Sequence, residues 1–140
     1  MPSQKIFDNV RKKYVSLTPE ERVRQNIINY LSTERGYPLT LMSVETPVKY
    51  GQMDKRSDVL VNDSNGQPLM LIECKAPEVA ITSKVFEQIA IYNLAVKASY
   101  LLVTNGIQNY CMVAATETSP LRFLTEIPKY GELKNQLFDI

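Results

Sequence analysis

A chain of 140 residues, 44% hydrophobic and 22% charged, has the balance of a single soluble globular domain; at that size it buries about two thirds of its unfolded surface without staples. The net charge of +1 argues against a stand-alone, non-specific nucleic-acid binder, which is usually clearly basic, but leaves room for a local basic face. The absence of histidine excludes histidine catalysis and histidine-ligated metals, so any metal must be held by oxygens, which points to Mg²⁺, Mn²⁺ or Ca²⁺ rather than zinc.

Residues 1–17 are mixed and start without the apolar core of a signal peptide. They hold a basic cluster, Arg11-Lys12-Lys13, read as solvated surface in preference to a phosphate contact. "LTPEERVRQNIINYL" opens a helix: Thr18 caps it, Pro19 suits its first position, Glu21 completes a capping box, and Val23, Ile27, Tyr30 and Leu31 form its buried stripe. Gly36-Tyr37-Pro38 ends it. Residues 40–50 are extended, and Pro47 marks an edge or a bend. "SDVLVN" and "PLMLIECK" are two strands joined by a turn at Asn65-Gly66. "ITSKVFEQIAIYNLAVKA" is a helix of about four turns. "SYLLVT" and "YCMVAA" are strands across Asn105-Gly106, and the tail is a loop with a short helix near "GELKNQLF". The order α-β-β-β-α-β-β, with inner strands apolar on both faces, predicts a layered α/β fold, a central mixed β-sheet flanked by helices, in one domain over 1–140. No apolar stretch is long enough to span a bilayer, and Cys74 and Cys111 fit a reducing cytosol rather than a disulfide framework, so a cytoplasmic location is expected.

The chemistry is concentrated in "LIECKAP", residues 71–77, an apolar strand that ends on Glu73 and Lys75. A two-residue turn at Asn65-Gly66 pairs residues whose numbers sum to 131, which sets Asp58 opposite Glu73, with Lys75 on the same face. Two facing carboxylates repel, so in a dry site one pKa rises or a cation is required. Asp58, Glu73, a backbone carbonyl and waters form a donor set for Mg²⁺, and Lys75 is then left to touch a water or a phosphate oxygen. The bland alternative, of about equal weight on this pattern alone, is a pair of exposed rim residues with Asp58 in a turn. Cys74, on the alternate face and without a histidine to activate it, reads as buried filler. Arg56 and Lys84 read as phosphate contacts or as solvated cations.

"SDVLVN…LMLIECK" resembles the D…E-x-K signature of the PD-(D/E)xK nuclease superfamily, with Ser57 in place of the proline before Asp58. "PEERVRQNIINYL", "VETPVKYG", "KRSDVLV", "LIECKAP", "EQIAIYN" and "LLVTNG" also follow the order seen in the N-terminal nuclease domain of type I restriction enzyme R subunits, most like the short free-standing form. The similarity runs over about residues 16–115. It implies a restriction-endonuclease-like core, an acidic residue on the first helix, and Q-x-x-x-Y on the helix after the lysine. Glu20 and Glu21 compete for the first role, and Glu20 is preferred because it continues the stripe of Val23, Ile27 and Leu31. Gln88 and Tyr92 match the second pattern; Gln88 is set equally against a core-edge glutamine satisfied by backbone, and Tyr92 is read as packing. No phosphate-binding G-x-x-x-x-G-K-[ST] loop is present, so this chain carries no helicase motor of that kind.

The function implied is a Mg²⁺-dependent endodeoxyribonuclease of the restriction-modification type, with Mn²⁺ as a substitute. Asp58, Glu73 and the Cys74 carbonyl would hold the metal, Lys75 would position the water, and Glu20 and Gln88 would support the site. Its partners would be nucleic acid, with DNA preferred, and a second copy or a delivering protein, but no membrane. The rival reading is a nuclease fold without turnover, kept for binding nucleic acid or protein.

Overall fold

The computed structural model describes residues 4–51 and 53–133. A two-stranded hairpin, β1 (Lys5–Asp8) and β2 (Lys13–Ser16), precedes α1 (Pro19–Arg35). Then come a 3-10 turn (Leu39–Leu41), β3 (Met42–Tyr50), β4 (Met53–Asn62), β5 (Pro68–Cys74), α2 (Ser83–Val96), β6 (Tyr100–Thr104), β7 (Asn109–Val113) and β8 (Arg122–Leu124). Strands β3 to β8 form one six-stranded sheet in chain order. Only β5 and β6 run parallel, because α2 carries the chain between them; the other pairs are antiparallel.

The sheet is covered on both faces, as the unbroken apolar runs of β4, β5 and β6 require. Val59, Val61, Met70, Ile72, Cys74 and Leu102 pack with Val23, Ile27, Ile28 and Leu31 of α1. Leu60, Leu71, Leu101 and Val103 pack with Val85 and Ile89 of α2. Thr18 caps α1 by accepting a hydrogen bond from the Glu21 N–H at 3.0 Å. Gly36 ends it with φ 71°, where a side chain would be strained.

From α1 to β7 the elements follow the expected order; the differences lie at the ends and in the turns. The first seventeen residues contain a strand pair, and β8 adds an edge strand where a loop was expected. Residues 130–133 are helical, and the rest of the expected tail helix lies outside the described residues. Tyr30 is 39% exposed; Ile28, fully buried, takes its place on the α1 stripe. β3 forms one edge of the sheet, consistent with Pro47. The β4–β5 turn is not a two-residue Asn65-Gly66 turn. The Gly66 N–H bonds the Asp63 carbonyl, the Asp63 N–H bonds the Gln67 carbonyl, and Gly66 alone takes a positive φ, of 79°. That turn pairs Asn62 with Pro68, one residue out of the expected register, and a bulge at Leu69 restores it, so that Val61 meets Met70 and Val59 meets Ile72. The register near Asp58 therefore agrees with the sequence reading because two departures cancel.

Candidate functional site

The β4–β5 ladder ends at Val59 and Ile72, and beyond that point Glu73 and Cys74 pair only with β6, opposite Val103 and Thr104. The Cys74 N–H, left without a β4 carbonyl, donates instead to Asp58 Oδ2 at 2.7 Å. The Asp58 side chain thus caps the fork where the two strands part. Glu73 is buried, 6% exposed, and it lines a narrow cleft with Val48, Ser57, Leu71 and Tyr92. Lys75 follows β5, tied by its own N–H to the Thr104 carbonyl at 2.8 Å. Its Nζ lies 3.6 Å from Glu73 Oε1, with about a quarter of the side chain exposed.

Burial pushes the Asp58 carboxyl up to about 7, the Glu73 charge adds to the rise, and Glu20 raises it further; the Cys74 N–H and Arg24 pull the other way. Glu20, exposed on the first turn of α1, is thus electrostatically part of the cluster, whereas Glu21 is buried and turned elsewhere. Gln88 is exposed on α2; Tyr92, one turn on, is half-buried and lies beside Glu73. Cys74 is buried at 1% exposure, and burial drives its thiol far above the ordinary range, so its side chain is inert filler while its backbone sits between the acids. Arg56 and Lys84 are exposed, and Arg56 lies 3.9 Å from Glu45.

A neighbouring network was not expected from the sequence. Arg24, 8% exposed, donates to Glu21 through Nε at 2.9 Å and Nη2 at 2.6 Å, to Glu45 Oε1 at 3.3 Å, and to the Asp58 carbonyl at 3.4 Å. Arg11 reaches Asp8, Glu21 at 3.4 Å and Glu45 at 3.6 Å, so it belongs to a buried-edge network and not to a solvated cluster. Glu21 also accepts from Gln25 Nε2 at 3.0 Å, so its carboxylate does not close the capping box. Glu45 adopts φ 56° at the β3 position opposite Asp58, a conformation costly for a residue with a Cβ and tolerated here by its three arginine contacts. One signal was available: Glu21 and Arg24 stand three apart on α1, the spacing of a helix-surface ion pair.

The donor set suits a hard cation. Asp58 Oδ1, the Glu73 carboxylate and the Cys74 carbonyl are all oxygens, and Lys75 Nζ forms an ion pair with Glu73. Among the described residues no group of three or more acids or thiols forms a closed metal cage. A cation here would keep waters, as Mg²⁺ commonly does when one or two carboxylates and a substrate phosphate bind it.

The chain matches the family described as type I restriction enzyme R protein N terminus over residues 19–128. No curated protein matches it in sequence. Among solved structures it is similar to a fragment described as an HsdR subunit of a type I restriction enzyme from Vibrio vulnificus YJ016. The TM-score is 0.67 at 18% identity, a likeness of fold; the match covers 86% of this chain and 25% of that one. With the family matched over most of its length and the forked sheet in place, the chain belongs to the type I restriction enzyme R protein N-terminal family, and its resemblance is to the nuclease domain of those subunits.

Proposed function

We propose that the chain is a metal-dependent phosphodiesterase acting on nucleic acid, with DNA as the favoured substrate. One observation carries the reading: two carboxylates and an ammonium meet at the fork of β4 and β5, with Asp58 pushed up to about 7 by burial and by Glu73. A natural fold does not keep repelling acids in a half-dry cleft without a use or a counter-charge. Asp58 and Glu73, with the Cys74 carbonyl, would hold Mg²⁺ or Mn²⁺. When bound, such an ion supplies Lewis-acid stabilisation of phosphate charge and eases ionisation of a water. Lys75, within reach of Glu73, orients the attacking water and donates toward a phosphate oxygen. Glu20, exposed at the mouth, holds an outer-shell water, and Gln88 contacts substrate from the exposed side of α2. The peptide hydrogen bond from Cys74 fixes the Asp58 carboxylate.

The test is thermal melting with millimolar Mg²⁺ or Mn²⁺, for wild type and Asp58→Ala, followed by hydrolysis assays on single-stranded and duplex DNA and on RNA. A ligand of the folded state alone raises the midpoint, by about 1.4 kcal/mol of stability at tenfold over its dissociation constant. A shift in wild type that Asp58→Ala abolishes supports the site; equal shifts in both sink it. A second reading, a nuclease fold that binds without turnover, is favoured by the Glu73–Lys75 ion pair, which already neutralises one acid. Under that reading Lys75→Ala leaves nucleic-acid binding intact and no hydrolysis is found in either protein.

A further inference from the structure

We propose that the outward face of the β1–β2 hairpin is a contact surface for an unpaired nucleic-acid strand. The hairpin precedes residues 19–128, so the family match does not account for it. Its register sets Lys5 opposite Ser16 and Phe7 opposite Tyr14, which puts these four on one face. Asp8 belongs to the other face and is fully buried. Phe7 is 39% and Tyr14 67% exposed, their ring centroids 5.1 Å apart and nearly edge-to-face. Two large rings left in water beside each other form a platform on which a base can stack.

The charge around the rings selects the partner. Residues 1–17 carry Lys5, Arg11, Lys12 and Lys13 against Asp8, a sum of +3; the whole chain is +1, so the remainder is −2. Arg11 is committed inward to Asp8, Glu21 and Glu45. Lys5, on the face of the rings, and Lys12, in the turn, are exposed, and neither enters an ion pair among the described residues; Lys13, opposite Asp8, belongs to the other face. Lysines are depleted from the cores of protein–protein interfaces, whereas lysines flanking exposed aromatics are what a single strand uses, phosphate on one and base on the other. A duplex offers phosphates to the lysines but keeps its bases stacked, so the rings discriminate in favour of unpaired strand.

The hairpin is also fixed where such a strand would be useful. Asn9 Nδ2 donates to Asn29 Oδ1 of α1 at 2.7 Å, and Val10 packs on the α1 side of the core. Arg11 contacts Glu45, Glu45 contacts Arg24, and Arg24 contacts the Asp58 carbonyl, so few side chains separate the turn from the paired acids. The use of the surface rests on the phosphodiesterase reading; the binding does not.

The test is fluorescence anisotropy in EDTA, with a labelled oligodeoxythymidylate and with its duplex with oligodeoxyadenylate, at several salt concentrations. Wild type is expected to prefer the single strand. Phe7→Ala/Tyr14→Ala loses that preference by tenfold or more and leaves duplex binding unchanged. Lys5→Gln/Lys12→Gln, at exposed positions where folding is not at stake, weakens both and lowers the single-strand salt slope by about 0.7 per lysine that contacts phosphate. Because the binding is read in EDTA, a failed metal shift at Asp58 would overturn the phosphodiesterase reading without touching this one. Unchanged single-strand affinity in the folded aromatic variant, or an unchanged salt slope in the lysine variant, overturns the proposal. So does a wild type that binds neither oligonucleotide, an outcome that leaves the face to a protein partner.

Discussion

Two charge clusters lie side by side at the edge of this sheet, and they obey opposite rules. In the network of Asp8, Arg11, Glu21, Arg24 and Glu45, acids and guanidinium groups alternate. Burial alone would push the Glu21 carboxyl up, but hydrogen bonds from Arg24 and Gln25 outweigh it and hold Glu21 below its ordinary value; Asp8 is likewise held down against burial by Arg11 and by backbone N–H groups. At Asp58 burial and the like charge of Glu73 win, and the carboxyl rises to about 7. The arginine network compensates its own charge and positions the β4 backbone at Asp58. At the fork the Asp58 carboxylate is disfavoured by burial and by the Glu73 charge, which a bound cation would relieve. Sequence composition does not separate the two clusters; the partners that surround each acid do.

The largest effect should come from breaking the compensated cluster. Arg24→Ala leaves Glu21 buried without its main partner, and the expected loss is about 3–5 kcal/mol, read by urea unfolding. A loss under about 1 kcal/mol would place this network with ordinary surface pairs.

The next effect separates the clusters by the sign of their pH dependence. The folded pKa of Asp58 lies above its unfolded value of 3.8, so the metal-free protein loses stability as pH rises from about 4 through about 7. Asp58→Asn should remove that slope and leave the metal-free protein more stable at pH 8, on the order of 2–4 kcal/mol. Melting across pH in EDTA checks it, and a variant less stable than wild type at pH 8 would show that the carboxylate is compensated after all.

Glu21 and Asp8 work in reverse. Their folded values lie below the unfolded ones, so their stabilisation is present above about pH 4.5 and is lost as pH falls through the folded values. Glu21→Gln should shallow the acid limb of the same pH profile, and an acid limb identical to wild type would deny Glu21 its role. Last, Glu126→Gln removes an exposed contact, 3.8 Å from Arg35, and should shift the melting midpoint by nothing resolvable.

Much of the fold was legible because it rests on local rules. Thr18-Pro19 and Gly36 bracket α1 by capping chemistry, and the doubly apolar runs of β4 and β5 demand a sheet covered on both faces. The hairpin at residues 5–16 was not legible, since its strands are only four residues each and are held by Arg11 and Asn9 contacts far along the chain. Gln88 and Tyr92 share a helix face by spacing, yet only the folded chain shows the first exposed and the second beside Glu73.

The sequence by itself determined which residues could do chemistry: with no histidine and unpaired cysteines, only carboxylates and lysines remained, and strand periodicity brought Asp58, Glu73 and Lys75 to one end of a hairpin. The tertiary structure decided which acids are paired. Glu20 and Glu21 are neighbours in the chain, but helical rotation turns Glu21 into the arginines and leaves Glu20 in the field of Asp58. That choice depends on burial and on partners 10 to 34 residues away, such as Arg11 for Glu21 and Arg24 for the Asp58 carbonyl. Spacing along the chain carries no record of either.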